Sequence, residues 1–510
     1  MKRLFFIIII ISVSLFSCSL SKDKKHEFSV TDYGAVGDSV TINTKAIQSA
    51  IEEAAEMGGG KVVVPPGVYL IGSVFLRDNI ELHLMAGAKL LGSVKADDYP
   101  PVKVPYVSYN RNYGGHENLP EDVRIGLVMG IDIKNASITG QGIIDGNGGN
   151  GVDFKVSVDE NGNWHKPTRP FAVLFVSSER ITMRDLKVQY SQMWQIHFEN
   201  CEYVQLENLM VEGHANANDD GIDINGCREV VIQNCRVDVG DDGLVFKTKG
   251  SAVMENIQVN NCTFSSETRA IQFGSETEGD IRNVTLSNIL LKPTKVRPEY
   301  PDPNSKPISK LIKRELGAGI SINVNDGAII ENVRISDVMC VGLPSPIYLH
   351  TAKRQWKYSI GEVDTVMTTG TLKNIIIEDF YATGVKPYAN STMMGLSEAP
   401  LEDITLRNVA FYFEPDIDLS QHEKLIELED KSSHGNYKLA NAGWPGFWGK
   451  HKRYPAYGFE FRYIEGLVLD NIHMHYPYKD GRDALKFQGV NDMVIKDIYE
   501  NNKPFSISSK

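Results

Sequence analysis

Two acidic clusters hold the residue types best suited to chemistry in this chain: Asn218-Asp219-Asp220-Gly221-Ile222-Asp223 and Gly240-Asp241-Asp242-Gly243. Asp220 and Asp241 lie 21 residues apart. If that spacing is one coil of a stacked parallel sheet, the clusters fall on neighbouring strands, about 4.8 Å from each other. Carboxylates that close resist joint ionisation, so at least one should keep its proton above the usual range. One group can then give a proton while another takes one, which is the division of labour in general acid–base catalysis. A single Asp-Gly pair is ordinary turn chemistry. Two clusters in register on consecutive repeats point to a site.

The element that must position them is a repeat. The pattern reads hydrophobic, any, Ile/Leu/Val, any, Asn or Asp, and recurs at 181–185, 204–208, 230–234, 257–261 and 284–288, and again at 333–337, 375–379, 404–408, 467–471 and 493–497. From Asp185 to Asn288 the steps are 23, 26, 27 and 27 residues. Within each copy the alternation has period two, so the unit is a strand. A fixed period of this size built on strands predicts a solenoid, with Asn or Asp side chains laddering between coils. The expected fold is therefore all-β, a right-handed parallel β-helix. A sandwich or barrel would need hairpin turns between copies, and the sequence shows no such signal.

The period stretches where residues 292–317, 344–370 and 414–457 intervene, and long excursions from a regular scaffold usually carry binding. The last holds Trp444, Trp448, His451, Lys452, Arg453 and Tyr454. It reads equally as a sugar-binding surface or as a cap on the helix side. Residues 43–57 form a helical stretch, with Thr44 able to cap it, expected to close the solenoid's N-terminal end.

The whole chain sets bounds on partners. Its 510 residues, 42 % hydrophobic and 23 % charged, argue against disorder and against several membrane spans. A formal charge of −12 leaves no basic footprint for nucleic acid. A solenoid grows by adding coils, so residues 28–510 are expected to form one catalytic domain and to act as a monomer. Ahead of it, Lys2 and Arg3 precede an apolar run over 4–16, too short for a span and right for a signal-peptide core. Leu15-Phe16-Ser17-Cys18 resembles the lipobox of bacterial lipoproteins. Residues 1–17 would then be removed and Cys18 lipidated, with 18–27 as a polar tether. This places the protein in the bacterial cell envelope, on a periplasmic or surface face, touching the membrane through that anchor alone. A plain secretory peptide is the other reading. Cys201, Cys227, Cys235, Cys262 and Cys340 form no CxxC pair and no metal-ligand spacing. Three of them follow Asn at one repeat position, which predicts stacked, buried thiols. No cofactor or metal is implied.

With the repeat in place, the chain resembles glycoside hydrolase family 28, the polygalacturonase and rhamnogalacturonase-like pectinases, nearly end to end. Residues 28–38 are similar to the family's opening strand, and 138–146 to an early coil. Arg169-Pro170 and Trp194-Gln195-Ile196-His197 fall where the family has similar pairs. Asn218-Asp219-Asp220 is similar to its Asn-Thr-Asp, and Gly240-Asp241-Asp242-Gly243 to its Gly-Asp-Asp-Cys. The resemblance implies an inverting hydrolase of pectin-like polysaccharide or oligosaccharide. Asp241 would protonate the leaving oxygen, and Asp220 and Asp242 would orient and deprotonate the attacking water, an arrangement that needs room for water between acid and base. Asn218 and Lys247 stand at family-like positions. Lys247 reads equally as a scaffold lysine or a cleft residue.

Two departures bear on the substrate. The family's Gly-His-Gly is Thr268-Arg269-Ala270 here. Arg269, 28 residues after Asp241, should stack beside the carboxylates, where its fork can hold oxygens. A plain ion pair with Glu267 or Glu276 is the alternative. The family's Arg-Ile-Lys, which grips a galacturonate carboxylate, is Ser321-Ile322-Asn323. Each lost charge-assisted contact is typically worth ~1.5–3 kcal/mol. A neutral or deoxy sugar is therefore expected at the cleavage position, with Ser321 and Asn323 lining it. Lys306, Lys310, Lys313 and Arg314 could return positive charge from the preceding insertion. Two rival readings are a polysaccharide lyase on the same scaffold, which would use calcium and an Arg or Lys base, and a non-catalytic glycan-binding β-helix.

Overall fold

The computed structural model describes residues 26–104, 123–155, 157–158, 164–165, 167–216, 218–250, 252–294, 317–352, 358–360, 363–365, 369–422, 424–425, 452–479 and 481–505. The chain winds as a right-handed parallel β-helix, with strands of successive coils paired in one continuous sheet of 32 strands among the described residues. Copies of the repeat lie on each other in register: Val230, Ile257, Val284, Val333, Ile375, Ile404, Leu467 and Met493 form one unbroken line of pairs.

The strand Ile281–Pro293 shows why the pattern folds this way. Ile281, Val284, Leu286, Ile289 and Leu291 are buried, whereas Asn283 and Asn288 bend the strand with φ of 58° and 54°. Asn tolerates the left-handed region better than other non-glycine residues, and at a corner it leaves its amide free for the next coil. Asn288 donates to Asn261 at 3.0 Å, and Asn261 to Asn234 at 2.7 Å. A second ladder runs from Asn374 to Asn332 at 2.7 Å and from Asn332 to Asn283 at 3.2 Å. The inward residues stack into one core, each large apolar side chain contributing roughly 1.5–3 kcal/mol. The five cysteines from Cys201 to Cys340 are free and buried within it, but the three that follow Asn do not form one stack: Cys235 lies beside Cys262, whereas Cys201 opens a different strand and lies beside Cys227.

The helix Thr44–Glu56 seals the N-terminal end with Ile47, Ala50, Ile51 and Ala54. Thr44 is not its cap: its Oγ1 accepts from the Gly72 N–H at 2.7 Å. Asn43 occupies the cap position and uses its Oδ1 to accept from the Val36 N–H at 2.7 Å instead. The stretch 344–370 is not wholly an excursion either. Ser345–Thr351 is a strand of the main sheet, paired with Ala318–Val324 and with Ser391–Met394. Cys18, the targeting segment, the lysines and arginine of 306–314, Trp444, Trp448 and His451 lie outside the described residues. Lys452–Arg453 is a two-residue strand, and Tyr454 is buried.

One sheet face carries the acidic clusters. In its strands Ile222 and Ile224, Leu244 and Phe246, Ile271 and Phe273, and Ile320 and Ile322 enter the core. The residues between them, Asp223, Val245, Gln272 and Ser321, point the other way and form one line from coil to coil.

Candidate active site

Register sets which carboxylates meet. Ile222 pairs with Leu244 and Leu244 with Ile271, offsets of 22 and 27 residues. Asp220 therefore lies beside Asp242, not beside Asp241, and Arg269 follows Asp242 on the third strand. Main-chain bonds fix this alignment: the Gly221 N–H donates to the Asp242 carbonyl at 2.9 Å, and the Gly243 N–H to the Arg269 carbonyl at 2.9 Å. The glycines after the Asp pairs permit so close a stack. A Cβ on Gly221 would lie 2.5 Å from the Gly243 carbonyl oxygen, and one on Gly243 2.5 Å from that of Ala270. Asp219, Asp241 and Thr268 form the parallel line beside it.

Arg269 grips Asp242 with both arms of its fork, Nε to Oδ1 at 2.8 Å and Nη2 to Oδ2 at 2.9 Å. Both side chains are buried. Burial works against the guanidinium charge, but Asp242 outweighs it and holds Arg269 above its ordinary pKa. The expectation that this arginine stands among the carboxylates holds, with Asp242 as its fork's partner. Thr268 Oγ1 sits 2.5 Å from Asp242 Oδ1 and 3.1 Å from Asp241 Oδ1, and its single proton serves one of them at a time. Asp241 is only half-buried, the most accessible of the three.

Lys247 belongs to the cleft. Its Nζ lies 2.8 Å from Asp223 Oδ1, 3.6 Å from Asp220 Oδ2 and 3.6 Å from the centre of the Trp194 ring. Burial opposes its charge, but Asp223 and then Asp220 raise its pKa well above the lysine range. Burial pushes Asp220 far above the usual carboxylate range, with Asp223 adding to the rise and Lys247 opposing it. Burial also lifts Asp223, to about 7 against the pull of Lys247. A carboxylate is raised as the spacing predicted, but it is Asp220 and its burial is the larger cause; crowding by Asp223, and less by Asp241 and Asp242, adds to it.

Asn218 stands at the rim with φ of 56°, its Oδ1 accepting from Arg169 Nη2 at 3.1 Å. Arg169 itself has no exposed surface. Ser321 and Asn323 are buried two strands beyond the Asp242 coil, with Asn323 Nδ2 donating to Ser321 Oγ at 3.2 Å. Both remain uncharged occupants of the face. Sequence reasoning passed over Asp223, Trp194 and Thr268 as site members. For Asp223 the signal was present: it alternates with the inward Ile222 and Ile224, so it points to the outward face, which Lys247 shares.

Residues 107–297 match the family model described as "Glycosyl hydrolases family 28". Over that stretch the chain is similar to the family that the acidic clusters resemble. Residues 27–166 match a second model, "Rhamnogalacturonase A/epimerase, pectate lyase-like". A "Probable polygalacturonase" from Vitis vinifera is 29 % identical over 289 residues, covering 52 % of this chain and 55 % of that one. An "Exo-poly-alpha-D-galacturonosidase" from Dickeya chrysanthemi is 28 % identical over 300 residues, covering 51 % and 49 %. The chain thus spans about half the length of these curated relatives. Among solved structures, a hyperthermoactive exopolygalacturonase from Thermotoga maritima superposes with a TM-score of 0.59 at 24 % identity over 76 % of this chain and 87 % of that one. A family 28 exopolygalacturonase from Yersinia enterocolitica gives 0.61 at 18 % identity over 93 % and 78 %. These likenesses concern the fold. The family 28 match covers both acidic clusters and the Arg269 coil and ends before Ser321.

Proposed function

We propose that this chain is a family 28 glycosidase that hydrolyses pectin-like polysaccharide with inversion. The observation that carries the reading is the alignment of Asp220, Asp242 and Arg269 on three successive coils, with Asp241 tied to Asp242 through Thr268. Asp242 is engaged as an acceptor at both oxygens, a setting suited to its ionised form. It is the base that takes a proton from water, with Asp220 positioning that water. Asp241, more accessible, gives its proton to the leaving glycosidic oxygen as the bond to the anomeric carbon breaks. The water oxygen forms the new bond from the opposite face, which inverts the configuration.

The substrate follows from the uncharged subsite. Ser321 and Asn323 offer hydrogen bonds and no cation, so a neutral or deoxy sugar suits that position better than a uronate. The relatives' names include polygalacturonases, and the neutral-sugar preference is this chain's own departure. In this reading the protein acts at the cell envelope as a monomer tethered through Cys18, a reading supported by the lipobox-like Leu15-Phe16-Ser17-Cys18. A panel of pectic oligosaccharides with product analysis tests the reading. Reducing ends without an unsaturated product are expected, with rhamnose-containing fragments cleaved faster than unsubstituted polygalacturonate. An absorbing unsaturated product would mean a lyase, and no turnover of any pectic chain would mean a binding protein.

A further inference from the structure

The outward face that carries Asp223 changes character along the β-helix. Towards the N-terminus its line reads Phe75, Met129 and Leu174, with Ile131 and Val176 in the line beside it. These join Val104, Phe171 and Trp194 in a second apolar cluster, separate from the core inside the coils. Val104, Met129, Leu174 and Val176 have no exposed surface, so this part of the face is filled by the protein itself. Leu174 pairs with His197 and His197 with Asp223, so along this line the filling ends two strand steps, about 10 Å, behind the carboxylate coil, while Trp194 carries it one coil further, against Lys247.

In the other direction, past Val245, the same line is polar on five strands: Gln272, Ser321, Tyr348, Thr392 and Glu460. These side chains and their neighbours Asn323, His350 and Asn390 are buried, yet Gln272 Oε1, Asn323 Oδ1, Tyr348 Oη, His350 Nδ1, Asn390 Nδ2 and Glu460 Oε2 have no hydrogen-bond partner among the described residues. A native protein leaves few such atoms, and each needs an account. Six on one side of one site call for water or for a ligand's polar groups. Three are pure acceptors, an amide oxygen twice and a carboxylate oxygen once, which suits hydroxyl donors. Among the described residues of this row, no side chain offers a spare cation to an anionic ligand. Glu460 takes Arg462 at 2.8 Å, and burial lowers the His350 pKa to about 4, leaving it neutral.

We propose that the cleft is a chain-end site: closed behind the carboxylates by the apolar cluster, it receives a hydroxyl-rich, uncharged stretch of substrate along Gln272, Asn323, His350 and Glu460, and the enzyme acts from the end of the chain. The proposal rests on the hydrolase reading and adds mode of attack and a binding row to it.

Three measurements test it. Wild-type enzyme on a pectic polymer should release fragments of one uniform short length from the first minutes, with little loss of viscosity per bond cut. A broad ladder of fragments with an early fall in viscosity would overturn it. Glu460→Gln and His350→Gln, away from the carboxylates, should raise KM about tenfold or more on long oligosaccharides and less than about twofold on the shortest cleaved, with kcat unchanged. No effect, or the same effect at every length, would overturn the binding row, and either variant suffices if the other fails to fold. The third measurement needs no turnover. In Asp241→Asn, pectic oligosaccharides immobilised through one end should bind and those immobilised through the other should not. Equal binding in both orientations would contradict a chain-end site. Wild-type protein that cleaves nothing sinks the hydrolase reading, while this last comparison still decides the shape of the cleft.

Discussion

Replacing Arg269 by alanine removes a fork whose two bonds to Asp242, at 2.8 and 2.9 Å, lie in a buried setting. Hydrogen bonds to charged groups contribute roughly 1.5–3 kcal/mol each, and removing one partner of a buried pair costs about 3–5 kcal/mol because the other charge is left stranded. Here the stranded group is Asp242, which would then face Asp220 across one strand step without its counter-charge. The expected loss of folding stability for Arg269→Ala is therefore about 3–5 kcal/mol, read as a fall in the urea midpoint at unchanged m-value. Catalysis should fall as well, by about 2–4 kcal/mol in kcat/KM, or roughly 30- to 1,000-fold, because the base loses its orientation and its charge state. Arg269→Lys keeps one charge and loses the fork, so it should recover part of the stability and less of the rate. A variant within about 0.5 kcal/mol of wild type in stability and about twofold in kcat/KM would refute the reasoning, since that is the behaviour of an ordinary surface position.

Three further outcomes are expected. Asp241→Asn should abolish turnover while leaving the urea midpoint within about 1 kcal/mol and oligosaccharide binding intact, because it removes the transferable proton and keeps the shape; a purified, folded variant with wild-type activity would end the acid assignment. Burial raises Glu199 to about 8 and Asp223 to about 7 in the folded protein. Between the ordinary carboxylate range and those values, the native state holds protons that the unfolded chain has released. Stability from these groups is thus fully present near pH 4 and is lost as pH rises towards 7–8, with a slope of up to ~1.4 kcal/mol per pH unit for each. Denaturant melts from pH 5 to 7 should show the decline, and Glu199→Gln should flatten it. Asn261→Ala loses two ladder bonds, to Asn234 and Asn288, and forces alanine to a φ of 53°. It should cost about 1–2 kcal/mol, and Asn261→Gly less, because glycine carries no strain there; equal losses would place the cost in the ladder alone.

The coil architecture was legible because one physical rule writes it ten times over. An inward apolar pair followed by Asn or Asp needs no long-range information, and the line from Val230 to Met493 follows directly from it. Register across the acidic clusters was not legible to one residue. The steps vary between coils, and the 22-residue offset that puts Asp220 beside Asp242 depends on how the Gly213–Asp219 corner is spent. Thr44 misled for a similar reason: a hydroxyl at a helix start can cap, but here the Gly72 N–H claims it from another coil. Lys247 could be read two ways because its identity says nothing of direction. Only the pairing of Asn225 with Lys247 shows that it extends over the Asp223 coil towards Trp194. The apolar filling around Leu174 was hidden for a different cause. A strand buried on both faces looks, in sequence, like any apolar run.

The central claim is direct displacement by water, driven by Asp241, Asp220 and Asp242. It is tested most directly by following the anomeric proton of the released sugar by NMR during the first turnovers on a cleavable pectic oligosaccharide. The account predicts a product that appears first with inverted configuration and then mutarotates. Initial retention would mean a covalent glycosyl-enzyme and a carboxylate acting as nucleophile, and would contradict it.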